Sequence, residues 1–483
     1  MSFGLIMLWH VARIMLGSKI RYYYSAAPYH LKYFGFEWVH MIGNSPEQTE
    51  QAMRMIFSLM GLAAIGVVLG MFYRISCIIL FVTFTYSFLV EATLYQNHYY
   101  LMSLLAFLLM FIPANRALSM DAIIFPEWKS DSIPNWCRWI LMFQIAVPYI
   151  YGGIAKLNSD WLHAFPLGLW VSQKSDLPLI GPLLTERSTH WFMSYAGLFL
   201  DLFIVPLLLW KPTRLPSYVV IVLFHLSNAI LFPIDVFPWF MILATLIFFP
   251  ADWPRKLLKK LPPITSERAD PLSQLSVKQF LLTFFLAGYV LWQVMFPFRQ
   301  FAYPGNTSWT EEGHYFSWRM MLRYKDIFVR FYAVDRATNQ TLEIPIERLF
   351  SPHQNIAIAR SPEQIAAAAK FLQSRAHEGG LRDVAIRAVV IISLNGRKPQ
   401  LMIDPELDLT TITRTLRHQA GIIPLKEPLQ NEAWDVPANE WPELLGIELP
   451  VPLSDGDERG EIRDDSSASA TRLSMSRPSR SPA

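Results

Sequence analysis

A single lysine stands near the end of a long apolar run. In Val147-Pro148-Tyr149-Ile150-Tyr151-Gly152-Gly153-Ile154-Ala155-Lys156-Leu157-Asn158-Ser159-Asp160-Trp161, an apolar stretch beginning near Trp139 carries two glycines, then Lys156, then a polar Asn-Ser-Asp step. An ammonium is costly there, because burial in hydrocarbon or protein favours the uncharged amine, which can accept a proton. Read as chemistry, Lys156 is a base. Read as packing, it is a helix-end lysine that snorkels its ammonium into the headgroups. Gly152 and Gly153 leave bare backbone on one helix face, where another helix or a flat ligand can come close.

Other apolar runs are interrupted by Asn97 with His98 and by His225 with Asn228. Lipid offers such groups no partners, so they belong in a bundle interior or a wet cavity, and one cavity shared with Lys156 is the expectation. Taken alone, each histidine reads as a hydrogen-bonded packing residue.

The elements that must position these groups are membrane helices. The chain has 483 residues, 52% hydrophobic, 14% aromatic and only 17% charged. Such a composition excludes an ordinary soluble enzyme and fits a polytopic membrane protein with a soluble portion. The net charge of +3 gives no nucleic-acid reading, and nothing in the pattern calls for a metal. Cys77 and Cys137 lie in apolar runs and supply no disulfide framework. The N-terminus lacks the basic region and small-residue cleavage site of a removed signal peptide, so the first apolar stretch is expected to stay attached.

Apolar run lengths predict spans at 54–72, 75–95, 98–113, 137–157, 193–210, 217–233, 236–250 and 278–297, with residues 3–17 as a short first helix, tilted or interfacial. The fold class expected is mainly α, a polytopic transmembrane helix bundle of about eight or nine spans, followed by a C-terminal extramembrane α+β domain. Basic residues in the turns at Arg74 and Lys211 to Arg214, and in the loop with Arg255, Lys256, Lys259, Lys260, Arg268 and Lys278, put that side in the cytoplasm. Everything after Phe298 then lies on the non-cytoplasmic side; Lys19, Arg21 and Lys32 run against this arrangement.

The domains expected are 1–298, helical; 299–452, extramembrane; and 453–483, a Ser/Arg/Asp-rich tail unable to fold. In the extramembrane part, residues 325–334 and 341–346 read as strands. Ser361-Pro362-Glu363-Gln364 opens a helix with a capping box, ended by Gly379-Gly380. Residues 384–394 and 398–403 read as a hairpin around an Asn395-Gly396 turn.

The segment Tyr151-Gly152-Gly153-Ile154-Ala155-Lys156-Leu157-Asn158-Ser159-Asp160-Trp161 resembles the signature of the vitamin K-dependent gamma-carboxylase family. The resemblance extends in blocks over most of residues 3–410: Gly70 to Cys77, Asn97-His98-Tyr99-Tyr100-Leu101, Phe224-His225-Leu226-Ser227-Asn228, Asp252-Trp253-Pro254-Arg255-Lys256-Leu257, Trp309 to Met321, and Ile403-Asp404-Pro405. Position 314 is histidine where the family more often has an aromatic phenol.

The resemblance implies an integral-membrane, multi-pass enzyme that carboxylates glutamate in a protein or peptide, with vitamin K hydroquinone as cofactor and O2 and CO2 as co-substrates. It implies that Lys156 is the base that deprotonates the hydroquinone and that His98 is needed for activity. Asn97, His225, Asn228, Gly152 and Gly153 would then surround the cofactor, Asn97 by orienting His98. Gly313, His314, Tyr315, Phe316, Ser317 and Trp318 would guide the glutamate segment, with packing at the membrane interface as the other reading of Trp309 and Trp318. Two other classes stand beside this one: a quinone- or lipid-binding module without turnover, and a transporter, for which no inverted repeat is visible.

Overall fold

The computed structural model describes residues 1–130, 132–254 and 276–450. The expected tail and most of the basic loop, Arg255 to Arg268 included, lie outside the described residues.

Helices form at all nine predicted places. They are α1 (Ser2–Met15), α2 (Pro46–Leu69), α3 (Tyr73–Leu89), α4 (Asn97–Leu109), α5 (Asn135–Lys156), α6 (Arg187–Leu209), α7 (Arg214–Leu231), α8 (Phe237–Ala244) and α9 (Val277–Met295). Local chemistry sets several ends. Ser45 accepts from the Gln48 amide with Pro46 at the first helical position, Gly70 closes α2 at φ 62°, and Ser276 with Gln279 forms a capping box on α9. Among the described residues four helices are long and apolar enough to cross a membrane: α2, α6, α7 and α9 with its continuation to Ala302.

Each of α1 to α8 packs on the next, and α8 returns to α1, so eight helices close a ring. Helix α9 stands outside, against α5, and exposes Phe280, Leu281, Phe284, Leu291 and Trp292. Apolar side chains in such numbers on one helix require a nonpolar surrounding such as lipid.

The outer part is built on an antiparallel sheet of β1 (Lys325–Asp335), β2 (Thr341–Ile344), β3 (Val384–Leu394) and β4 (Gln400–Leu401), in the order β2-β1-β3-β4. Helix α10 (Pro352–Arg360) precedes α11 (Pro362–Glu378), whose alanines lie flat on one sheet face; Trp441, Trp434 and Ile447 cover the other. One local expectation is corrected. The capping box sits on α10, from Ser351 and Gln354, while Ser361 makes no cap to α11. The expected hairpin of β3 and β4 forms around Asn395-Gly396, at φ 54° and 78°, with the Arg397 amide donating to the Leu394 carbonyl at 3.2 Å; β4 is short and pairs at Ile391 and Ile392, and the long partner of β3 is β1.

Asp160 is the anchor. Arg397 grips it in a two-pronged pair at 2.6 and 2.7 Å, and Asn395 donates to it at 2.7 Å. A second tie joins Gln354 to Glu91 at 2.9 Å and to the Tyr29 carbonyl at 2.9 Å. Residues 29–33 therefore lie against the outer part, where Lys32 is satisfied by the Val90 carbonyl at 2.8 Å.

Inside the outer part, Lys325 is held by Glu311 at 2.8 Å and by the Trp309 and Arg360 carbonyls, and burial lowers its pKa to about 8. His314 accepts from Arg323 at 2.7 Å. Burial, then Arg323, Arg319 and Lys325, push its pKa well below the ordinary 6.5, so the ring is neutral.

Two outcomes follow from these contacts. Arg397→Met leaves the buried Asp160 carboxylate unpaired and is expected to cost about 3–5 kcal/mol in denaturant unfolding; adding Asp160→Asn should recover part of it. As pH falls below 6.5, the unfolded chain binds a proton at position 314 that the folded chain refuses. Stability should therefore drop by up to about 1.4 kcal/mol per pH unit from this group, and His314→Gln should remove that slope from the thermal unfolding curve.

Candidate active site

Lys156 is the last residue of α5, and its side chain turns inward. It is 6% exposed, and Nζ lies 2.5 Å from Asp201 Oδ2 on α6, a carboxylate 5% exposed. The Trp161 ring sits 5.1 Å from Nζ. The expectation of a solitary amine is therefore corrected: amine and carboxylate form a buried pair. A lysine among headgroups is excluded by the same contacts.

Each remaining residue of the motif has a structural task. Asn158 caps the short helix Ser159–Leu162 by accepting from the Trp161 amide at 3.0 Å, Asp160 holds the outer part, and Trp161 Nε1 donates to the Ser194 carbonyl at 2.9 Å. The glycines serve helix contact. A Cβ on Gly152 would lie 3.0 Å from Asp201 Oδ2, and one on Gly153 would meet the Leu202 backbone at 3.0 Å. Neither lines the cavity, which corrects the reading of both as cofactor contacts; they admit the helix that carries Asp201.

A cavity of about 360 Å³ opens beside the pair. Asn97, His98, Tyr149, Lys156, Asp201, His225 and Asn228 all line it, so the predicted polar groups of α4, α5 and α7 do share one chamber. His98 packs against Tyr99 and Phe237 and leaves Nε2 without a partner among the described residues. His225 Nε2 is 3.0 Å from the Tyr149 hydroxyl, and its Nδ1 has no partner among the described residues. Asn97 does not orient His98. Its Nδ2 donates to the Arg319 carbonyl at 3.1 Å and its Oδ1 accepts from Tyr95 at 3.0 Å, linking α4 to the outer part.

The segment 313–318 divides. His314 lines the cavity together with Arg319, Met320, Met321 and Arg323. Gly313, Tyr315 and Phe316 face a separate outer cleft. Ser317 and Trp318 are fully buried and line neither, which corrects their assignment as substrate contacts. Ser317 donates to the Gly313 carbonyl at 2.6 Å, and Trp318 stacks on Tyr100 at 4.8 Å. The backbone here is unusual: Phe316, Trp318 and Met321 all take positive φ near 60°.

Sequence reasoning missed Asp201, Arg319 and Arg323. Asp201 carried a signal, as the only acidic residue within the apolar run of α6. Arg319 donates to Gln300 at 2.7 Å and to Ser308 at 2.8 Å; burial lowers its pKa to about 10, so it remains a cation at neutral pH. Arg323 pairs with Glu311 at 2.6 Å while touching His314. The chamber thus has an amine–carboxylate pair and free imidazole nitrogens among the helices, and cationic groups where the outer part closes it.

Comparison with known proteins agrees with this construction. Residues 1–253 match the HTTM domain family and residues 278–428 match the lumenal domain of vitamin K-dependent gamma-carboxylase. No solved structure matches the chain. With over half its length in the first match and most of the outer part in the second, the chain is a membrane protein that belongs to the vitamin K-dependent gamma-carboxylase family.

Proposed function

We propose that the chain is a vitamin K-dependent gamma-glutamyl carboxylase-like enzyme. It would convert peptide glutamate to gamma-carboxyglutamate with coupled epoxidation of vitamin K hydroquinone, using O2 and CO2. The observation that carries this reading is that Lys156 and His98 open into one chamber closed by His314, Arg319 and Arg323.

The chamber suits a reduced naphthoquinone. Its volume falls within the range of small-molecule sites, Phe224, Phe237, Met241 and Met320 give it apolar walls, and His98 Nε2 and His225 Nδ1 are buried atoms in need of partners. When bound, the reduced quinone supplies with O2 a base far stronger than any side chain, which removal of a glutamate γ-proton demands.

In this reading Lys156 and Asp201, 2.5 Å apart at Nζ and Oδ2, share one proton before the reaction begins. Taking a second proton at Nζ leaves an ammonium beside a carboxylic acid, and that cation offsets the anion formed against it. His98 offers an imidazole nitrogen to the same developing charge. Arg319 and Arg323 would bind the carboxylate of the incoming glutamate side chain, with His314 between them and the chamber. The closed helix ring keeps bulk water from the base.

In this reading the helical part crosses the membrane eight or nine times, and the outer part faces the non-cytoplasmic side. The basic turns at Arg74 and at Lys211 to Arg214 support that orientation.

The test is purified full-length protein supplied with reduced vitamin K, labelled CO2 and glutamyl peptides. Label in peptide and epoxide from the quinone should appear together. In Lys156→Ala both should fall by roughly 10²-fold or more, with peptide affinity kept. A quinone-binding module without turnover would give neither product from the unaltered protein. Asp201→Asn, which removes the second proton site but keeps the shape, should lower kcat about 10- to 100-fold and move its pH profile while leaving KM for peptide unchanged. An unchanged pH profile would remove Asp201 from the proton path.

A further inference from the structure

A second cavity of about 160 Å³ lies beside the first and shares Tyr95 and Gln96 with it as a common wall. It is smaller than the first, and a larger share of its lining is polar. Its lining includes His10 and Arg13 from α1, Lys19 just beyond that helix, Asp235 from the turn before α8, and His353 from α10.

The charges do not balance. Arg13 is paired with Asp235. Lys19 makes no ion pair among the described residues, so this half-buried space holds two cations against one carboxylate. Its imidazoles are also unsatisfied. His10 is 3% exposed, with its ring edge-on to Phe84 and Tyr99 at 5.5 and 5.2 Å, and its Nδ1 has no partner among the described residues. His353 uses Nδ1 on the Ser351 hydroxyl at 2.9 Å and leaves Nε2 free.

A surplus positive charge beside unpartnered ring nitrogens is the arrangement that a small oxyanion completes. Its oxygens accept from the ammonium and guanidinium and from an imidazole N–H, and its charge restores neutrality. Water could satisfy the nitrogens, whereas an oxyanion would satisfy the nitrogens and the cations together. A metal cation would meet Arg13 and Lys19 head-on. A bicyclic ring would leave the polar lining unpaired.

We propose that this cavity is a binding site for one small oxyanion of the carboxylate, carbonate or phosphate class. The anion comes either from free solution or from a lipid headgroup at the edge of the helix ring. The site does not depend on the carboxylase reading.

The test is thermal unfolding of the full chain in a maltoside detergent, which carries no anion of its own. Sodium bicarbonate, acetate or inorganic phosphate is titrated against sodium chloride at matched ionic strength, and phosphatidylglycerol is added in a parallel series. A saturable rise in Tm with a free oxyanion but not with chloride is expected. The midpoint should weaken at least tenfold in Lys19→Met and be kept in Lys19→Arg. A rise with phosphatidylglycerol alone, equally lost in Lys19→Met, would assign the oxyanion to a headgroup. Lys19 is part-exposed, so its variants should fold; His10→Phe, with the free nitrogen deleted, gives a second and independent loss. No rise with any oxyanion, or a rise that survives both Lys19→Met and His10→Phe, overturns the proposal.

Discussion

The buried contact between Lys156 and Asp201 is the constraint around which the rest of the helical part is arranged. Two ionisable groups withdrawn from water survive there only because each is the other's partner. To bring them together, α5 and α6 must approach backbone to side chain, and Gly152 and Gly153 allow it: any larger residue would strike Asp201 or Leu202. The pair then needs a chamber, which the closed ring of α1 to α8 encloses.

The outer part completes that chamber and is tied to it through polar contacts. Asp160, four residues after Lys156, binds Arg397 and Asn395 beyond β3, so the residue that follows the amine in the motif also fixes the opposite wall. Asn97, next to His98, binds the Arg319 carbonyl in the same manner. Residues one or a few positions from the reacting groups thus dock the segment that carries His314, Arg319 and Arg323. A disturbance of docking would be felt at the chamber even where no chamber residue is altered.

Much of this was legible in the sequence because the membrane imposes strong rules. Long apolar runs gave helices at every expected place, and polar groups inside them had to turn to a common interior, as Lys156, His98, His225 and Asn228 do. What was not legible depended on contacts between distant segments. Asp201 was visible as an isolated acid, but its partner lies 45 positions away and on another helix. Gly152 and Gly153 read equally well as ligand contacts until α6 was in place. Asn395-Gly396 has the letters of a tight hairpin turn and makes one, closed by the Arg397 amide on the Leu394 carbonyl, but that the same turn also binds Asp160 could not be read from its letters. Ser317 and Trp318 are buried in a segment where Phe316, Trp318 and Met321 take a positive φ that such residues seldom adopt, for which side-chain type gives no warning.

An experimental density map of the full chain with reduced naphthoquinone bound would test the central claim most directly. The account predicts the ring inside the helix chamber, in contact with Lys156 and His98 while Asp201 still holds the amine. A ring lodged on the lipid-facing surface, or an amine turned away from both ring and carboxylate, would contradict it.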